Sequence, residues 1–319
     1  MKTLAAATFA SACLLLTPAM AQQAAPAAQP AAPAAAPAAT EPFKAGEPLP
    51  VRPNVKTFGS FCGAESVSVD TERDLYVVVS PCTSNTLRPN DGYVSLVNPD
   101  GTVHTLKWIQ GNDKMGVTLN DPRGSDINHG MLYLADIDTV RMFDIKTGEP
   151  KGEVKVDGAV FLNDLEVTDD GTVYVTDSGS NDNPDASAIY KITPDGQVSD
   201  FARGGQLQRP NGIAFDPDGN IVVVLLANTE ILTYSPDGQI AKTENGLESL
   251  ADGLVILADG TKITTSLRAN HLAKIPPGGK AELLVDQVFT PASIGYDAKR
   301  NRVIVPENQQ NAITMVDLN

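Results

Sequence analysis

The chain is 319 residues long, with 39 acidic against 24 basic residues and a formal net charge of −15. That balance argues against nucleic acid as a partner, because phosphate binding needs a concentrated basic face. The three histidines lack the ligand spacing of a zinc site, and no nucleophile elbow, phosphate-cradling loop or dinucleotide fingerprint is present.

Residues 1–21 read as a secretory signal peptide. Lys2 gives the positive start, Leu4 to Leu16 the short apolar run, and Ala19-Met20-Ala21 a small-x-small cleavage site. The apolar run is too short to span a bilayer as a helix, so no transmembrane segment is expected. Cleavage near Ala21 and a periplasmic or secreted location are. Residues 22–50 are almost entirely Ala, Pro and Gln without apolar periodicity, the composition of a disordered linker. Residues 51–319 form the expected folded domain. Cys62 and Cys82 survive cleavage, and an even pair in an exported chain is a disulfide candidate. Cys62 lies just before one predicted strand and Cys82 just after the next, which puts both at one rim. The alternative is two buried free thiols.

One unit recurs six times beyond this point. It is a short apolar strand, a turn carrying Asp, Gly or Asn, a second β-rich strand, and a third strand ending near a Pro-Asp-Gly-like turn. Its anchors are Glu65, Arg123, Asn163, Asn211, Asp252 and Ala292, spaced by 58, 40, 48, 41 and 40 residues. Periods near 40 with about four strands each mark propeller blades. Third strands fall at 93–98, 140–145, 188–193, 231–235, 272–275 and 312–317. Fourth strands fall at 103–108, 152–156, 198–202, 239–243 and 281–286. The sixth unit runs out of chain after its third strand, so residues 55–59 are expected to supply the fourth and close the ring. The fold class is all-β: a six-bladed β-propeller with four-stranded blades.

The first strand of each blade lines the central channel, and the residue opening it points into one mouth. Two carboxylates, Glu65 and Asp252, and two carboxamides, Asn163 and Asn211, should therefore converge there, with Arg123 and Ala292 beside them. Oxygen-only ligands suit a hard cation, and calcium tolerates irregular geometry better than magnesium. Ca2+ is the expected cofactor, with another divalent cation as the alternative. Asn and Asp also open strands for purely local backbone reasons, but four oxygen-bearing residues at one slot of a six-fold repeat favour the metal. Arg123 is then either an aid to catalysis or a charge partner for Glu65 or Asp252. Loops joining second and third strands add further mouth candidates: Asp138, Asp177, Asn228, Arg268, His271 and Glu307, with Asp136, Asn181, Asp182, Asn270 and Asn308 around them. Their mixture of acids, amides and arginine suits a small polar molecule.

The motifs Ala64-Glu65-Ser66, Phe161-Leu162-Asn163-Asp164, Arg209-Pro210-Asn211-Gly212 and Ala251-Asp252-Gly253-Leu254 carry a family resemblance. The domain resembles the gluconolactonase, regucalcin (senescence marker protein) and luciferin-regenerating enzyme family over nearly all of residues 55–319. The resemblance implies that Glu65, Asn163, Asn211 and Asp252 bind a divalent cation, as a similar ring does in related phosphotriesterase propellers. Two segments depart from it. Glu65-Ser66-Val67 stands where many family enzymes have Glu-Gly-Pro, and the second unit, around Arg123, looks more like non-catalytic NHL-type repeats. Ring and resemblance together lead to an expected calcium-dependent hydrolase of a lactone or related small ester. Asp252 would direct or deprotonate the attacking water, and Arg123 would stabilise the oxyanion. The competing expectation is a non-enzymatic propeller that binds a ligand or protein, with calcium as a structural plug.

Overall fold

The computed structural model describes residues 54–82, 88–111, 116–180, 183 and 186–318. The expected signal peptide, the linker and the candidates Asn181 and Asp182 lie outside the described residues. Strand β1 (Val55–Gly59) comes first. Blade one holds β2 (Ser66–Asp70), β3 (Leu75–Ser80), β4 (Tyr93–Val97) and β5 (Val103–Gln110). Blade two holds β6 (Pro122–Asn128), β7 (Met131–Asp136), β8 (Thr139–Asp144) and β9 (Pro150–Lys155). Blade three is β10 (Leu162–Val167), β11 (Val173–Asp177), β12 (Ala188–Ile192) and β13 (Val198–Arg203). Blade four is β14 (Pro210–Phe215), β15 (Ile221–Leu225), β16 (Glu230–Tyr234) and β17 (Ile240–Asn245). Blade five is β18 (Leu254–Ile256), β19 (Lys262–Ser266), β20 (His271–Ile275) and β21 (Glu282–Val285). Blade six has β22 (Gly295–Asp297), β23 (Arg302–Glu307) and β24 (Ala312–Asp317).

Each blade is a four-stranded antiparallel meander, and β1 completes the sixth by pairing with β24, from Val55 opposite Val316 to Gly59 opposite Ala312. The expected closure of the ring by residues 55–59 is therefore present, and the protein is a six-bladed β-propeller. A 3-10 turn lies at Asn308–Gln310, between β23 and β24. None of the described residues forms a helix long and apolar enough to cross a membrane.

Blades pack face to face because inner strands such as β3 and β15 are apolar and buried on both faces of the sheet. Val77 and Leu96 of blade one meet Leu132 and Phe143 of blade two. Comparable apolar clusters fill the remaining interfaces round to blades six and one, where Ile304 and Met315 meet Tyr76 and Val78. Each fully buried aliphatic side chain contributes about 1.5–3 kcal/mol. The turns use much of the acidity. Asp100, Asp144, Asp170 and Asp259 each accept backbone N–H bonds from residues two or three ahead. The Cys62–Cys82 disulfide is formed, with Cα atoms 4.7 Å apart, and ties the segment entering β2 to the end of β3.

Around the axis the first strands come unusually close. Gly212 N–H donates to the Asp252 carbonyl at 2.8 Å, and Ser293 N–H donates to the Glu65 carbonyl at 3.0 Å. A Cβ on Gly212 would lie 2.4 Å from the Asp252 oxygen, and one on Gly253 2.5 Å from the Ala292 oxygen. At these two positions glycine is thus a packing requirement. Gly212→Ala is expected to lower unfolding stability by about 2 kcal/mol through backbone overpacking, as read from urea denaturation. An unchanged midpoint would mean that the blades move apart freely.

Candidate functional site

Three anchors sit in β-bulges. The registers of β6, β10 and β14 slip between Pro122 and Ser125, Leu162 and Leu165, and Pro210 and Ile213. Each slip contains an anchor and its successor. A bulge bends a strand and re-aims its side chains, so it turns Arg123, Asn163 and Asn211 out of ordinary alternation. Glu65 precedes β2, while Asp252 and Ala292 precede β18 and β22.

The ring is asymmetric in its bonding. Glu65 Oε1 accepts from Arg123 Nη1 at 2.7 Å, and its Oε2 accepts from Asn308 Nδ2 at 2.5 Å. Arg123 also reaches Asp121 Oδ2 at 3.2 Å and lies 4.5 Å from the centroid of the Phe161 ring. Of the two partners expected for Arg123, its ion pair is with Glu65. Asn163 Nδ2 donates to Ser178 Oγ at 3.0 Å, which fixes its carboxamide. The Asn211 amide hydrogen-bonds to the Asp252 carboxylate. Asn211 Oδ1 and Asp252 Oδ1 have no donor, although these residues are only 1 % and 4 % exposed. Burial and the nearby Glu65 charge raise the Asp252 carboxyl well above its ordinary range.

Two buried oxygens without donors are costly in water-free surroundings, and a cation would satisfy both. With the Glu65 carboxylate close enough for its charge to act on Asp252, these oxygens suit a hard divalent ion. Among the described residues no group of three or more His, Cys, Asp and Glu is arranged to hold a metal. An ion at this ring would therefore depend on the carboxamides as well as the acids.

Several loop candidates have structural tasks. Asp177 accepts the N–H groups of Val160, Phe161 and Gly179. Asp136 accepts those of Asn120 and Asp121. Glu307 accepts from Phe289 N–H and pairs with the Thr314 hydroxyl. Each of the three ends the second strand of its blade and grips the segment that delivers an anchor: Arg123, Asn163 or Ala292. Asp138 pairs with Arg88 at 2.6 Å on a blade-one loop, and Asn228 accepts from Glu230 N–H within its own turn. Arg268 is exposed. His271 opens β20, and its burial lowers its basicity.

Sequence reasoning missed the supports beneath the ring. Thr176 and Thr265 each lie thirteen residues after an anchor, Asn163 and Asp252. Their hydroxyls accept an N–H of their own first strand and reach the carbonyl of the next blade's anchor, Asn211 or Ala292. That shared offset was the available signal. Also missed was a cavity of about 270 Å³ further along the axis, lined in part by Asp126, Asp164, Glu166 and Ser293. Burial raises all three of these acids, Asp164 to about 7.

A family model described as the SMP-30/gluconolactonase/LRE-like region matches residues 97–294, more than half of the chain. No curated protein matches in sequence. Among solved structures, a gluconolactonase from Xanthomonas campestris is 18 % identical over 81 % of this chain and 87 % of its own, with a TM-score of 0.63. Virginiamycin B lyase from Staphylococcus aureus is 15 % identical over 83 % of this chain and 99 % of its own, at 0.61. A streptogramin B lyase is 13 % identical over 83 % and 97 %, also at 0.61. At these identities the likeness concerns the fold.

Proposed function

Because the chain belongs to the SMP-30/gluconolactonase/LRE-like family, we propose that it is a divalent-cation-dependent hydrolase that opens a lactone or related small ester at the anchor ring. The observation that carries this reading is the pair of buried, donor-less oxygens, Asn211 Oδ1 and Asp252 Oδ1. Glu65, Asn163, Asn211 and Asp252 would hold the ion, and calcium suits this mixed oxygen set best. When bound, the ion supplies Lewis-acid polarisation of the substrate carbonyl. Asp252 would accept a proton from the attacking water and return it to the ring oxygen as the ester C–O bond breaks. Arg123 adds a fixed positive charge that favours the developing oxyanion, and its buried Nε–H has no partner. The signal-like residues 1–21 and the disulfide support a site of action outside the cytoplasm, periplasmic or secreted.

One observation favours a second reading. Both Glu65 oxygens are already engaged by Arg123 and Asn308, as they would be in a propeller that only binds a ligand around a structural ion. Calcium calorimetry on wild type and Asp252→Ala, with the same samples assayed on a panel of sugar and aliphatic lactones, separates the cases. Calcium-dependent ring opening, lost together with binding in the variant, is expected. Binding without turnover would transfer the protein to the second reading, and wild-type protein that binds no divalent ion would overturn both.

A further inference from the structure

We propose that Arg123 is a resident cation that competes with the divalent ion for Glu65, and so sets how tightly the ring holds metal. The inference rests on the metal-binding reading above and concerns a residue that the metal-ligand set does not include.

The guanidinium is held from several sides. Its Nη1 contacts Glu65 at 2.7 Å, its Nη2 contacts Asp121 at 3.2 Å, and its plane lies over Phe161 at 4.5 Å. The Arg123 carbonyl also accepts from Ser66 Oγ at 2.5 Å. The side chain is largely buried and stays charged at any working pH. A positive charge is thus built in beside one of the ring's two carboxylates. The other carboxylate, Asp252, keeps an oxygen with no donor, as does Asn211. The open acceptors therefore lie on blades four and five, while the blade-one carboxylate is already neutralised.

A carboxylate oxygen has lone pairs for more than one partner, so Glu65 can face both guanidinium and metal. It then divides its charge between them, and the two cations repel each other across a poorly screened site. Removing the guanidinium charge frees Glu65 Oε1 for the ion while Asn308 still donates to Oε2. An arginine that merely braced Glu65 as a ligand would have the opposite effect, because its loss would leave Glu65 loose and weaken binding. The two roles differ in sign.

Calorimetric titration with calcium chloride of the mature wild-type domain and of Arg123→Gln decides between them. Glutamine keeps a polar stem without the charge. Affinity tighter by about tenfold or more, equivalent to about 1.4 kcal/mol, is expected in the variant. Equal or weaker affinity would overturn the competition. If both proteins bind equally well, only this inference falls; if neither binds, the metal reading falls with it. Should Arg123→Gln fail to fold, nitrogen-15 spectra of the wild-type guanidinium N–H groups provide the same decision. Calcium is expected to shift the Arg123 signals as the Glu65 pair loosens, and signals unmoved at saturating calcium would refute the proposal.

Discussion

Asp252→Asn is expected to bind calcium at least about 100-fold more weakly than wild type, while its metal-free form is more stable by about 2 kcal/mol. The two effects have one cause. Asp252 is 4 % exposed, its Oδ1 has no donor, and the negative charges of Glu65 and Asp164 act on it. Without an ion, folding must bury either an uncompensated charge or a carboxyl that has taken up a proton, and both cost stability. Asparagine keeps the shape and the Asn211 contact while removing that cost. It also removes a charged ligand, a larger loss than the 10–100-fold that outer-shell changes usually cause. Denaturant unfolding in chelator, beside calorimetry in calcium, reads both effects. A variant that is less stable without metal would mean that the Asp252 carboxylate supports the ring through contacts of its own.

In chelator, the wild-type domain is expected to lose stability as pH rises from about 4 to about 7. Burial raises Asp164 from 3.8 to about 7 and Asp121 to about 6, although Arg123 pulls Asp121 back. A raised carboxyl holds its proton in the folded state over a range where the unfolded chain has released it. The folded state therefore binds more protons, and stability falls with pH by about 1.4 kcal/mol per unit for each such group. For Asp164 that amounts to about 4 kcal/mol across the window. Below pH 4 the trend reverses, because Asp74, Asp138 and Asp297 have carboxyls lowered by their partners and lose those interactions on protonation. Asp164→Asn should flatten the slope between pH 4 and 7. Urea midpoints at intervals across that range provide the test, and identical slopes in the two proteins would refute the assignment.

The blade series was legible in the sequence because its signals are local. Period-two apolar patterning and Asp-Gly turns specify a strand pair wherever they occur, and the anchors repeat at near-constant spacing. The sixth blade's missing strand followed from the count alone, and residues 55–59 fill it. The Cys62–Cys82 pair was a candidate from the even cysteine count and from strand order, against two free thiols, and the disulfide is formed. Two contacts between anchors of neighbouring blades, Glu65 with Arg123 and Asn211 with Asp252, accord with the expectation that equivalent positions of a closed ring face one another.

What each of those residues touches was decided by the tertiary structure. Arg123 had two carboxylates of the ring within conceivable reach, and of these it pairs with Glu65 of the neighbouring blade, with Asp121 as a further partner. That outcome depends on how blades one and two are set against each other, and no local pattern records it. Asp177 and Glu307 carry the same chemistry as a ligand-binding acid, but backbone N–H groups of the entering segments occupy them. Asp164 and Glu166 share one face of β10 with period-two spacing. Only the parallel approach of the first strands turns that face into a narrow acidic channel in which water cannot fully solvate either charge. Local patterning wrote the strands and the residue types, whereas desolvation and pairing across blades depend on distances that exist only once the ring has closed.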